Sequence, residues 1–416
     1  MLSIQVIPFD PLLHQDFVTL MSSDLTVTRL IKMYRTVTSL FTPHANELLA
    51  CMLSTLDSKN KLVSAATKIL NSENYLIKNE LLKTPNFQLA IQAMNSDMNI
   101  SPIFVSKFAI FVENYLKDDP NLIHTKFFFF SLFVKHISKN TSVYSMFIEL
   151  LVNKAEYLPI FEYLHEKKFT EFLIEHLSEE NLDILVKCAQ IPTFLTPKFI
   201  NQIMLLEHNR KWEIISKTIS YSESPSDFLP LLDESIFFID SYTENNFSVA
   251  HVSALLFISE MINSCSDTLS EIDFESFNQI LIRVLQNFPN HSIAINTVFL
   301  IIEELITSTQ SRQMAIDTFI PFLSDYLLET SPKSSNKIMK SFTAQLFQRL
   351  LSTEETDAGL ESDLSQNDGY LAATEYIIEI YNPLIESCYG YTPQAFAVTN
   401  DEPGFDHFTE SPPLMI

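Results

Sequence analysis

Phe127–Leu177 reads FFFFSLFVKHISKNTSVYSMFIELLVNKAEYLPIFEYLHEKKFTEFLIEHL, three apolar blocks separated by short polar breaks. Each block is too apolar to stand alone in water and must be buried against a neighbour. The breaks at Ser138–Ser142 and Val152–Tyr157 span only a few residues, so consecutive helices are forced to pack as antiparallel neighbours. A stacked helical array begins this way.

The pattern continues on both sides of that stretch. From Phe104 the apolar residues fall at Phe104, Phe108, Phe111, Val112, Tyr115 and Leu116, and from Ile295 at Ile295, Val298, Phe299, Ile302, Leu305 and Ile306. Both are the one-sided stripes of amphipathic helices. About twenty helices are expected between residues 24 and 388, among them 24–41, 102–117, 121–138, 142–152, 156–165, 167–177, 225–240, 292–308, 334–352 and 369–388. Thr42-Pro43, Ser101-Pro102, Thr196-Pro197, Ser224-Pro225 and Ser331-Pro332 each place a capping hydroxyl before a proline at a first helical position. The same pairs fit proline-directed phosphorylation, but the helix-start reading explains their place between apolar blocks.

Glycine narrows the function classes. There are four, Gly359, Gly369, Gly390 and Gly404, and none in the first 358 residues. Dinucleotide fingerprints, P-loops and nucleophile elbows need glycine where the backbone approaches a ligand or turns with positive φ, so they are excluded from most of the chain. Tight β-hairpins lean on the same residue. The fold class expected is therefore all-α: an irregular armadillo/HEAT-like α-solenoid over 1–352, without a fixed repeat period. An acidic linker at 353–368, a C-terminal helix at 369–388 and an acidic, unstructured tail at 389–416 are expected to follow.

Charge bears on partners. Asp and Glu number 51 against 27 Lys and Arg, and 13 of those acids, with no Lys or Arg, lie from Thr353 onward. An acidic surface repels phosphate backbones and anionic headgroups, so neither nucleic acid nor membrane is expected as a partner. Cys51, Cys188, Cys265 and Cys388 are scattered without a CxxC, which fits free thiols in a reducing compartment. The N-terminus lacks a basic start followed by a long apolar run, and charges interrupt the longest apolar segments, so the expected location is cytoplasmic, with the nucleus also allowed.

Chemistry-bearing clusters are sparse. HEKKF at 165–169 begins like a zincin helix, but Phe169 stands where a second His is required. His165 and His176 read as surface or satisfied core residues, Asp118-Asp119 as a helix stop, and Trp212 as a packing anchor. The four phenylalanines at 127–130 cover all sides of one helical turn, the mark of a helix buried in mid-stack; a lipid or cofactor pocket is the sharper alternative. No catalytic residue, metal ligand, cofactor or small-molecule ligand is assigned.

One resemblance is present. Between Asn99 and Gln190, ISPIFVSKF, then KHISKNTSVYSMFIELLV, then FEYLHEKKFTEFLIEHL occur in the order found in SAPS-domain proteins, with matching residues at His136, Ile137, Thr141, Ser142, Leu151 and Val152. Tyr163 stands where that family usually has Trp, and Met146 where it usually has Asp. LLHQDFVTLMSSDLTVTRLIKMYRTVTSLF near the start and LQNFPNHSIAINTVFLIIEELI around Phe288–Ile306 are similar to further segments of the family. SAPS-domain proteins are regulatory subunits of protein phosphatase 6-type serine/threonine phosphatases. The resemblance thus implies a non-catalytic scaffold whose partner is a phosphatase catalytic subunit. The loops His136–Ser142 and Pro289–Ser292 would be the first places to look for its contacts. The competing expectation is another helical-repeat adaptor that holds basic protein segments in an acidic groove, and a third is a helical enzyme with an unfamiliar acid pair.

Overall fold

The stripe that starts at Phe104 becomes the Pro102–Asp118 helix, and Phe104, Phe108, Phe111, Val112, Tyr115 and Leu116 are all buried along it. Ile103 and Ile110, on its other side, are exposed. Burying side chains of this size stabilises by about 1.5–3 kcal/mol each. The Ser292–Thr307 helix behaves alike, with Ile295, Val298, Phe299, Ile302, Leu305 and Ile306 all buried.

The computed structural model describes residues 15–21, 40–54, 60–70, 75–96, 100–242, 247–265, 268–328 and 337–383. Among them the chain forms about 22 α-helices joined by short connections, several of them 3-10 turns, and no strand. Most of the expected 24–41 helix, the Ser331-Pro332 start, Cys388 and the 389–416 tail lie outside the described residues.

The chain divides into two compact units, Met1–Arg283 and Val284–Ile416, where the sequence reading expects one array to residue 352. In the first unit, elements pack on near neighbours in sequence. Ala45–Leu53 meets Lys61–Leu70 and Pro85–Asn95, Pro102–Asp118 meets Thr141–Leu150, and Lys211–Ile219 and Leu232–Asp240 both meet Val249–Ser264. Trp212 anchors that last group, buried between Phe238 and Phe257 at ring-centroid distances of 6.0 and 5.5 Å. In the second unit, Ser292–Thr307 packs on Arg312–Leu328 and Lys337–Glu354, and Asp368–Tyr376 returns to Arg312–Leu328.

Three expectations need correction. Residues 121–138 are not one α-helix: a short helix at Leu122–Thr125 is followed by a turn and a ten-residue 3-10 segment, Phe130–Lys139. Runs of 3-10 helix beyond three or four residues are uncommon. The four phenylalanines accordingly do not all face inward, since Phe127, Phe129 and Phe130 are buried while Phe128 is 58% exposed. Residues 353–368 are not a linker: Lys337–Glu354 runs into them and Ala358–Leu364 is helical, with Leu360 and Leu364 buried. Residues 225–240 begin as a 3-10 segment, Pro225–Leu231, before the α-helix Leu232–Asp240.

The capping expectation holds at Thr196, whose side chain accepts from the Phe199 N–H at 3.2 Å. It fails at Ser101 and Ser224, whose side chains make no cap bond, and at Thr42, which sits inside a 3-10 turn behind Phe41. Thr84-Pro85 is the same device unnoticed in the sequence, with Thr84 accepting from the Phe87 N–H at 3.3 Å.

Lys168 joins Leu158–Glu166 to Phe169–Glu175 in the left-handed conformation, at φ 56°, and among the described residues no other non-glycine has positive φ. A side chain there costs roughly 1–2 kcal/mol relative to glycine, partly offset by the greater unfolded-state entropy of glycine. Lys168→Gly is therefore expected to stabilise the first unit by about 1 kcal/mol. The check is a urea titration followed by Trp212 emission; a midpoint that stays or falls would show that the turn stores no strain.

Candidate functional site

The Phe127–Leu177 block contains a cavity of about 220 Å³. Its walls are Ser131, Leu132 and Val134 from the 3-10 segment, Leu164 from the Leu158–Glu166 helix, and Phe169 and Phe172 from the Phe169–Glu175 helix. Lys135 and Lys167 complete the lining, and among the described residues no carboxylate contributes to it. The walls are held from behind. The Tyr163 hydroxyl donates to the Phe128 carbonyl at 2.6 Å and lies 3.3 Å from the Ser131 hydroxyl. Phe169 stacks on Phe147 with centroids 5.2 Å apart. The Lys168 turn places Lys167 and Phe169 on either side of one bend.

The lysines are only lightly engaged. The Lys135 ammonium reaches the Met94 carbonyl at 3.4 Å, and that of Lys167 stands 5.6 Å from the centre of the Tyr163 ring. Among the described residues neither pairs with a carboxylate. The lining thus combines an apolar hollow with cations. Ser131 supplies the hydroxyl of the lining.

The loops picked out in the sequence serve the scaffold. Asn140 accepts from the Ser142 and Val143 N–H groups at the start of Thr141–Leu150, donates to the Pro102 carbonyl at 3.0 Å and accepts from the Ser106 hydroxyl at 3.1 Å. One side chain so fastens two helices. His136 has a buried Nε2 without a hydrogen-bond partner among the described residues, and burial, reinforced by Lys135 and Lys139, lowers its pKa from the usual imidazole value. His291 caps Ser292–Thr307 by accepting from the Ala294 N–H at 3.2 Å. His165 is exposed on the Leu158–Glu166 helix and His176 is exposed just after the Phe169–Glu175 helix, stacked on Phe172 at 4.2 Å.

Among the described residues no group of three or more His, Cys, Asp or Glu is placed to hold a metal ion. Cys51, Cys188 and Cys265 are free and buried. Burial pushes the Cys51 thiol up to about 12 and raises that of Cys188 further, which suppresses thiolate chemistry. No helix among the described residues is long and apolar enough to cross a membrane.

His251 went unnoticed in the sequence, because a capping box ordinarily carries Glu or Gln at this position. Its Nδ1 accepts from the Ser248 N–H at 3.0 Å, while the Ser248 side chain caps the His251 N–H in return. Phe238 and Phe247 stack on its ring at 4.5 and 5.2 Å. Burial lowers its pKa. The unfolded chain then binds a proton at a higher pH than the folded one, so stability is full above the unfolded value of about 6.5 and declines as pH falls below it. His136 adds to the decline in the same direction. The urea midpoint is expected to drop between pH 7.5 and 5.5, and His251→Gln, which keeps the reciprocal cap, to shrink the drop. An undiminished drop in the variant would assign it to other groups.

No protein-family model matches the chain, and no curated protein matches it at a significant level.

Proposed function

We propose that this chain is a non-catalytic regulatory scaffold, an irregular armadillo/HEAT-like α-solenoid, that binds the catalytic subunit of a serine/threonine protein phosphatase. The observation that carries the reading is the ordered run of three SAPS-like segments between Asn99 and Gln190. Their joining supports it. Asn140 of the second segment bonds Pro102 and Ser106 of the first, and Phe147 of the second stacks on Phe169 of the third. The segments that carry the resemblance therefore build one block, as a shared fold requires. Packing of helices on near sequence neighbours within each unit is what a solenoid would need. Cytoplasm is the proposed compartment, on the strength of the scattered thiols.

The test is affinity purification of the full chain from its source cell. Recovery of a phosphoserine/threonine phosphatase catalytic subunit near equal stoichiometry is expected, and recovery of unrelated partners alone would overturn the reading. The excess of 51 acids over 27 bases favours a second reading, a helical-repeat adaptor that holds basic segments in an acidic groove. That reading requires partner binding to weaken steeply with salt.

A further inference from the structure

We propose that the hollow between Phe130–Lys139 and the helices Leu158–Glu166 and Phe169–Glu175 is a docking pocket for a short acidic peptide segment, which seats one aromatic or leucine side chain in it. The proposal goes beyond the phosphatase reading and does not depend on it.

Size selects the kind of occupant. At about 220 Å³ the cavity is smaller than the roughly 300–1,000 Å³ of sites that enclose a cofactor or drug-sized molecule. It matches a single large side chain, and protein interfaces concentrate their affinity in such anchors. The walls are already fixed by the Tyr163 hydroxyl, the Phe147–Phe169 stack and the Lys168 turn, so little ordering remains to be done on binding.

Charge selects its chemistry. Residues 126–168 carry six lysines, at 126, 135, 139, 154, 167 and 168, against four glutamates, in a chain with nearly two acids per base. Among the described residues none of the six is in an ion pair, whereas Lys117, Lys198, Arg210 and Lys211 each are. Lys135 and Lys167 bring this local excess to the cavity itself. Carboxylates flanking an anchor would meet both cations. A nucleic acid strand or an anionic membrane would extend past them, where the excess of acids in the chain repels it. A short acidic peptide fits within the basic zone.

The test uses the full chain and a fluorescein-labelled peptide with one Phe between two pairs of Asp in a Gly-Ser frame, followed by fluorescence anisotropy. Saturable binding is expected, weakened roughly tenfold or more when Lys135→Glu and Lys167→Glu are combined, and further weakened by added salt. Both lysines are exposed, so the helical circular dichroism of the double variant should match the parent. A peptide with Ala for Phe is expected to lose about tenfold as well. Absence of binding, equal binding of the Ala peptide, or indifference to the lysine pair would each overturn the proposal. Displacement of the peptide by free laurate at lower concentration than by unlabelled peptide would overturn it too, in favour of a fatty-acid site. Phosphatase recovery is not read in this assay, so the two proposals fail separately.

Discussion

Replacing Arg312 with Met is expected to release the Ala358–Leu364 helix from the second unit, with a loss of about 3 kcal/mol in the local opening free energy, as leaving buried polar groups unpaired costs. Arg312 is 6% exposed at the first position of Arg312–Leu328. A cation at a helix N-terminus opposes the helix dipole, so a compensating partner is needed. It is found in the last carbonyls of the preceding helix, where a cation is favourable: Nε donates to the Ile306 carbonyl at 3.2 Å and Nη2 to that of Thr307 at 2.9 Å. Nη2 also donates to the Asp357 carboxylate at 2.7 Å, and Asp357 in turn caps the next helix by accepting from the Leu360 N–H at 3.0 Å. One guanidinium so ties three helical segments. Met matches the length of the side chain and supplies no donor. Gly359 belongs to the same arrangement, since a Cβ there would lie 3.0 Å from Arg312 Nη1. Gly359→Ala should destabilise in the same direction, by less. Asp357→Asn should cost less than Arg312→Met, because Asn keeps the cap and the buried guanidinium keeps the Ile306 and Thr307 carbonyls and Asp363 at 3.7 Å. The measurement is hydrogen exchange at the amides of Leu360 and Tyr370, where Arg312→Met should lower protection roughly a hundredfold. Unchanged protection would show that the guanidinium bonds are ornamental.

The Arg312 arrangement also explains why the sequence misleads at 353–368. TEETDAGLESDLSQND carries acids without a neighbouring base, and the cation that engages Asp357 stands 45 residues earlier. A partner at that separation leaves no local signal. The helix signal was nonetheless present, in Asp357 as an N-cap and in Leu360 and Leu364 one turn apart. Residues 130–139 mislead for another reason. Phe130, Phe133, Val134 and Ile137 are buried, a spacing that α-helix satisfies equally well, so the tighter hydrogen-bond pattern is invisible to hydrophobic periodicity. Where a stripe is long and ends in caps or breaks, as at Phe104–Leu116 and Ile295–Ile306, local pattern and tertiary burial agree. The candidate pocket was the least legible feature. Lys135 and Lys167 are 32 positions apart, and only the Lys168 turn and the 3-10 segment bring them to one cavity.

Phe108→Ala is expected to destabilise the first unit by about 4 kcal/mol, within the range for truncating a buried aromatic. The side chain is fully buried and serves as a hub for five rings: Phe87, Phe104, Phe111, Phe129 and Phe133, at centroid distances of 6.3, 5.7, 6.1, 5.4 and 5.7 Å. The contact with Phe129 is a stack with only 4° between the planes. The cost of such a deletion depends on whether neighbours can move into the space. Here they are restrained, because Phe129 and Phe133 belong to the stretch that Tyr163 fastens at Phe128 and Ser131, and Asn140 fastens beyond Lys139 to Pro102 and Ser106. Collapse would require breaking those bonds, so most of the cavity should persist. Phe128→Ala is the matched control from the same run of phenylalanines, 58% exposed, and should shift stability by less than about 0.5 kcal/mol. Trp212 is 1% exposed and lies in the same unit, so its emission in a urea titration reports on the unit that contains both sites. The midpoint should fall sharply for Phe108→Ala with the slope preserved, and stay for Phe128→Ala. Equal shifts would mean that the ring cluster around Phe108 is loosely packed and that the helical block has its core elsewhere.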